Sequence, residues 1–132
     1  MNEQLYDDGI TGESEALLRR LRQRVPAAVI LGGWAVYLYS RGQRSKDVDI
    51  AVPPDGLGPL REEFGTALRK NTNLQEYEVV LPSGIELDIL VAHYSNPGIA
   101  IERVIHLTVP LDGYRVLRPE ALLVLKLCAW LD

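Results

Sequence analysis

The sequence predicts an α+β domain, a mixed β-sheet with helices packed mainly on one side. Two stretches alternate with the period of a half-buried strand: Asp47-Val48-Asp49-Ile50 and Ile85-Glu86-Leu87-Asp88-Ile89 each send apolar and acidic side chains to opposite faces. Apolar residues at helical spacing recur before and between these strands, at Leu17, Leu18, Leu21 and Val25 and again at Leu60, Phe64, Ala67 and Leu68. Pro82-Ser83-Gly84 is a compact hairpin signal between residues 75–81 and 85–91. The resulting order, α-β-α-β-α-β-β-(β-β)-α, combines crossovers and hairpins, and so a mixed sheet.

Taken in order, residues 1–12 are polar and read as flexible. Ser14 is placed to cap a helix that runs to about Arg24, where Pro26 stops it. Residues 27–31 form a buried strand, Gly32-Gly33 a turn, and residues 34–40 a short helix apolar on nearly every side. A polar loop, residues 41–46, leads to the strand 47–52, which Pro53-Pro54-Asp55-Gly56 ends. A surface helix is expected over 57–70, then the hairpin, a loop at 93–98 and a helical turn at 99–104. Short strands at 104–109 and 114–117 flank Leu111-Asp112-Gly113, and Pro119 suits the first turn of a last helix.

Composition narrows the function classes. The chain has 132 residues, 47% of them hydrophobic and 24% charged, which suits one globular domain over residues 1–132 with a real core. A net charge of −4 argues against a coat for nucleic acid, which needs a basic surface to displace counterions. Arg19, Arg20, Arg22 and Arg24 read as a solvated helix face. The lone Cys128, in an apolar run, makes no intrachain disulfide and reads as a structural thiol. No stretch has the look of a signal peptide or a membrane span, so a cytoplasmic protein without membrane contact is expected.

The chemistry concentrates in three places. Asp47 and Asp49, two apart on a strand, leave the same face, where like charges are unfavourable unless a cation lies between them. Hard carboxylate oxygens of this sort suit Mg²⁺, completed by water and phosphate. Gly32-Gly33, between an apolar run and a helix, would let a phosphate approach free backbone N–H groups at a helix N-terminus. Asp88, followed by Ile89-Leu90-Val91, is a carboxylate that a sheet interior tolerates only when bound or paired. Asp-x-Asp alone is a weak signal, since such acids also pair with neighbours like Arg41, Arg44 or Lys46; the glycine pair and Asp88 make the pattern specific.

Gly32-Gly33, Asp47-x-Asp49 and the distant strand residue Asp88 together resemble the nucleotidyltransferase superfamily, with its polymerase-beta-like fold. The wording of residues 116–127, with Pro119-Glu120 opening a helix that carries Lys126, is similar to the AbiEii-type branch. The resemblance runs from about Ala27 to the C-terminus. It implies transfer of a nucleoside monophosphate from an NTP to a hydroxyl or phosphate, with two Mg²⁺ ions on Asp47, Asp49 and Asp88. Lys126 would reach the phosphates; the other reading of a lone lysine in an apolar helix is that it snorkels to the surface. For the nucleotide the expected contacts are Gly32, Gly33, Trp34, Arg44, Ser45 and Lys46. Trp34 has the core as its other reading, and Arg44 and Lys46 a solvated loop.

The setting the resemblance implies is the toxin of a toxin–antitoxin pair, acting on RNA, protein or a small molecule. Gly-Gly-Trp-Ala-Val also resembles aminoglycoside and lincosamide nucleotidyltransferases, which keeps an antibiotic as acceptor open. A nucleotide- or partner-binding module without turnover is the remaining alternative. The family's further C-terminal helical region is not found here, so acceptor recognition from an antitoxin, a second subunit or a homodimer is expected, or else a truncated chain. Trp130 and Leu131 point the same way, as apolar surface.

Overall fold

The computed structural model describes residues 2–131, with the side chains of residues 9–131. The first helix, α1, spans Asn2–Arg24, so it begins well before Ser14 and carries Gly9 and Gly12 within it. The flexible start expected for residues 1–12 thus becomes helix from Asn2 onward, while Met1 and the side chains of residues 1–8 lie outside the described residues. Ser14 is not a cap; it is fully buried in mid-helix, where its hydroxyl meets Trp34. The arginines of α1 are engaged rather than merely solvated: Arg19 pairs with Glu15, Arg20 and Arg24 with Glu63, and Arg22 lies over the ring of Tyr114.

Strand β1 (Val29–Leu31) runs straight into helix α2 (Gly32–Ser40), with no separate turn. Strand β2 (Val48–Val52) follows, then a 3-10 turn at Pro54–Gly56 and helix α3 (Leu57–Phe64). The helix expected over 57–70 ends six residues early, because Gly65 takes a left-handed φ of 56° and its N–H closes on Arg61 O. Arg69–Asn71 is instead a strand, β3, which opens the meander β3, β4 (Glu76–Val80) and β5 (Glu86–Val91). A single turn α4 (Ile101–Val104), the hairpin β6 (Thr108–Leu111) and β7 (Tyr114–Leu117), and helix α5 (Pro119–Leu131) complete the chain.

Among the described residues seven strands form one mixed sheet in the order β3-β4-β5-β2-β1-β7-β6. The pairs β2–β5 and β1–β7 are parallel and the other four antiparallel. Helices cover both faces, not mainly one. Leu18 and Leu21 of α1, Trp34 of α2 and Leu60 of α3 pack on Ile30, Ile50 and Leu87. Against the opposite face, Ile101 and Val104 of α4 and Ala121 and Leu125 of α5 cover Val29, Leu31, Ala51 and Leu117. Each large side chain enclosed this way contributes about 1.5–3 kcal/mol. Helix α5 is seated closely at one further point: a Cβ on Gly98, whose φ is 104°, would lie 2.5 Å from the Cβ of Cys128. No helix among the described residues is long and apolar enough to cross a membrane.

Candidate active site

The sheet register places the acids before any side-chain detail is considered. Asp49 lies opposite Asp88 in the parallel β2–β5 pair, Asp88 opposite Glu78 in β4, and Asp49 opposite Leu31, the residue before Gly32. Cross-strand neighbours share a face. Asp47, Asp49, Glu76, Glu78, Glu86 and Asp88 therefore gather on the face covered by α4 and α5, beside those helices rather than beneath them. Glu76 and Glu78 are additions to the expected set. Their signal is the alternation Glu76-Tyr77-Glu78-Val79, which puts two acids on one side of a strand antiparallel to Glu86-Leu87-Asp88.

Burial and crowding shift these groups. Desolvation first, and then the charges of Asp88, Asp47 and Glu86, push the Asp49 carboxyl up to about 6. Glu76 is pushed up to about 7 by burial, by the charge of Asp88 and by its hydrogen bond to Asp88. Asp88 is raised as well, chiefly by burial and by Glu86, while the bond from Glu76 counteracts part of the rise. The neighbouring cations serve other acids: Arg41 pairs with Asp112 and Arg44 with Glu15.

The three expected metal ligands share a face without forming a closed ligand set. Among the described residues no three histidine, cysteine or acidic side chains are arranged to hold a metal ion. Two of the three meet a donor: Asp47 Oδ1 accepts the Glu86 N–H at 2.9 Å, and Asp88 accepts from Glu76. The donor chemistry nevertheless fits Mg²⁺. Asp49 and Asp88 are partly buried carboxylates on paired strands, and Asp47 retains its second oxygen.

The glycine pair fits the same site from the other side. A Cβ on Gly32 would collide with Asp49 Oδ2, and the backbone there has φ 61°, so residue 32 is glycine for two separate reasons. A Cβ on Gly33 would lie 2.7 Å from Ser45 Oγ, which itself donates to the Asp47 carbonyl at 3.0 Å. The glycines thus first make room for the strand that carries the acids. Helix α2 begins at this point, and no side chain caps its N-terminus.

A cleft of about 510 Å³ opens beside these groups, lined by Gly32, Gly33, Asp49, Lys126 and Trp130. Lys126, exposed on α5, thus stands across the cleft from the glycine pair and Asp49. The other expected nucleotide contacts, Trp34, Arg44, Ser45 and Lys46, are not among the residues that line this cleft, although Ser45 lies against Gly33. Trp34 is 1% exposed, and its indole N–H donates to Ser14 Oγ at 2.8 Å, which makes it a core residue. Arg44 is held toward Glu15, 3.1 Å away, Lys46 is exposed, and Ser45 is tied to the turn before β2. Of the three expected metal ligands only Asp49 lines this cleft; Asp47 and Asp88 do not.

The seven-stranded mixed sheet with helices on both faces, carrying Asp49 and Asp88 side by side on two parallel strands, is a fold shared with a solved structure. The chain is similar to the crystal structure of a candidate nucleotidyltransferase from Thermotoga maritima, with a TM-score of 0.62 over 88% of this chain and 84% of that one. The two sequences are 17% identical, so the likeness is one of fold. No family model and no curated protein matches the sequence.

Proposed function

We propose that this protein is a metal-dependent nucleotidyltransferase that moves a nucleoside monophosphate from an NTP to a hydroxyl or phosphate acceptor. The observation that carries the reading is a single cleft. Gly32 and Gly33 from α2, Asp49 from β2 and Lys126 from α5 converge on it, although they are far apart in sequence. Asp88 adjoins Asp49 on the next strand.

In this reading the triphosphate lies against the uncapped N-terminus of α2, where free N–H groups and the helix dipole favour an anion. Lys126 holds phosphate oxygens from the opposite wall. Asp47, Asp49 and Asp88 would hold Mg²⁺, which would supply Lewis-acid charge at the phosphoryl oxygens. The acceptor oxygen attacks the α-phosphorus, the bond to the bridging oxygen of pyrophosphate breaks, and the acceptor proton passes to Asp88.

The start of α5 at Pro119-Glu120 and the position of Lys126 at the cleft support the finer AbiEii-type affiliation, and with it a toxin of a toxin–antitoxin pair. Incubation with each α-labelled NTP, Mg²⁺ and a cell extract tests the chemistry: label should move to an acceptor, and Asp49→Asn should abolish the transfer. Growth arrest on expression, relieved by the same substitution, would support the toxin setting. Raised tolerance to an aminoglycoside or lincosamide in its place would assign the acceptor to the antibiotic class.

A further inference from the structure

The two tryptophans of the chain differ in a way that the catalytic reading leaves unexplained. Trp34 is sealed in the core with its N–H bonded, whereas Trp130 is 82% exposed and lines the cleft. An exposed indole in a concave site is unusual, because tryptophan is on average highly buried. Its placement is also specific. Trp130 follows Lys126 by four residues on α5, one turn further along the same face, and Leu122 precedes Lys126 by the same interval. The cleft therefore has a charged end, at Gly32, Gly33, Asp49 and Lys126, and an aromatic end.

We propose that Trp130 is the stacking platform for the nucleobase, and that the cleft accepts all four bases with little discrimination. The inference rests on the nucleotide-binding reading above. Its second support is the chemistry of the wall. Apart from Asp49 and Lys126, the side chains lining the cleft are apolar, among them Leu31, Val36, Leu90, Leu122 and Leu125. Such a wall offers nothing to read the exocyclic groups of a base. Stacking, by contrast, tolerates every base, because each has a π-face. Rejection of a wrong base by large factors requires polar groups that are left unpaired, and this wall has none to leave.

The test is titration of Mg-ATP, Mg-GTP, Mg-CTP, Mg-UTP and Mg-tripolyphosphate into the full chain, followed by tryptophan fluorescence and calorimetry. All four nucleotides should quench the emission of Trp130 and bind within about tenfold of one another. Tripolyphosphate should bind without quenching. Trp130→Ala, with its fold checked by circular dichroism, should weaken every NTP by about ten- to a hundredfold and leave tripolyphosphate unchanged, and Trp130→Phe should recover most of the loss. Unchanged NTP affinity in Trp130→Ala, with tripolyphosphate still bound, would overturn the stacking role and leave the nucleotidyltransferase reading standing. A preference above about a hundredfold for one base would overturn the tolerance. Binding of neither NTP nor tripolyphosphate would overturn both. Quenching that grows with protein concentration alone would show a second copy on the indole, and would also overturn the proposal.

Discussion

On one face of β2 and β5, Val48, Ile50, Val52, Leu87 and Ile89 are completely enclosed under α1, α2 and α3. On the other face of the same two strands, Asp49 and Asp88 stand side by side with Glu76, Glu78 and Glu86 around them. The polar groups of the first face are satisfied internally, as Trp34 and Ser14 are by each other. Those of the second raise one another's proton affinity. One pair of strands thus carries an enclosed apolar face and, behind it, a face of crowded carboxylates, with Asp49 at the cleft.

The largest effect that separates the two faces is expected from Asp49→Asn. Asparagine keeps the shape and removes the charge, so nucleotidyl transfer should fall by at least about a thousandfold. Stability measured without divalent cations should rise instead. A carboxyl raised from 3.8 to about 6 costs the ionised fold about 3 kcal/mol at neutral pH, and the amide removes that cost. A melting temperature lower than that of the wild type would show that Asp49 is an ordinary paired acid. The opposite face gives the opposite result. Leu87→Ala should lose about 2–5 kcal/mol of stability while the residual folded protein keeps its affinity for tripolyphosphate. Denaturant titration and calorimetry at low temperature would check the pair.

The boundary between the faces is Gly32, and Gly32→Ala should disturb both properties. The added Cβ meets Asp49 Oδ2 and must also adopt φ 61°, which costs about 1–3 kcal/mol. Activity should fall further than that figure implies, because Asp49 itself must move. Equal losses in activity and stability would mean that the glycine serves the backbone conformation at the start of α2 alone.

Much of this division was legible in the sequence and part of it was not. The alternation in 47–52 and 85–91 assigns each side chain to a face, and the structure keeps that assignment. Register is another matter. That Asp88 stands opposite both Asp49 and Glu78 depends on pairing across strands far apart in the chain, and no local pattern encodes it. Glu76 and Glu78 were missed for this reason. Strand β3 was missed because Arg69-Lys70-Asn71 is a polar edge, without the apolar alternation that marks a strand, and because the helical spacing before it runs on past Gly65. Trp34 has a cofactor reading only while its partner is unknown; Ser14, 20 residues away, settles it as core. The helices on the second face were unexpected because α4 is a single turn and α5 is apolar all round, which conceals the side that packs.

Proton uptake sharpens the comparison further. Asp49, at about 6, and Glu76, at about 7, bind protons more tightly in the folded chain than in the unfolded one, whose values are near 3.8 and 4.5. Between about pH 7 and 4 the native state therefore holds more protons, and stability rises as pH falls through this window. Without divalent cations the melting temperature should be several degrees higher at pH 5 than at pH 7.5. Mg²⁺ added at pH 7.5 should recover most of the difference, and should do so less in Asp49→Asn. A melting temperature that falls steadily from pH 7.5 to 5 would show that groups other than the acid cluster govern stability in this range.

The smallest effect lies wholly within the enclosed face. Trp34 Nε1 and Ser14 Oγ form a buried bond of 2.8 Å between α2 and α1, with almost no exposure of either residue. Trp34→Phe leaves the Ser14 hydroxyl without this donor in an apolar setting, and it opens a small void where the indole was. Ser14→Ala leaves the indole N–H without its acceptor. Each should cost about 1–3 kcal/mol, because a buried group deprived of its partner carries its full desolvation penalty. The double substitution should cost less than the sum, since the second change removes the group that the first left unsatisfied. Denaturant midpoints for the four proteins give the coupling directly. The same cycle on Asp49 and Asp88, with both changed to asparagine, should show the opposite sign in stability: removing either charge relieves the other, so the first substitution gains more than the second. Coupling of the same sign on both faces would mean that the acids are held as an ordinary structural pair.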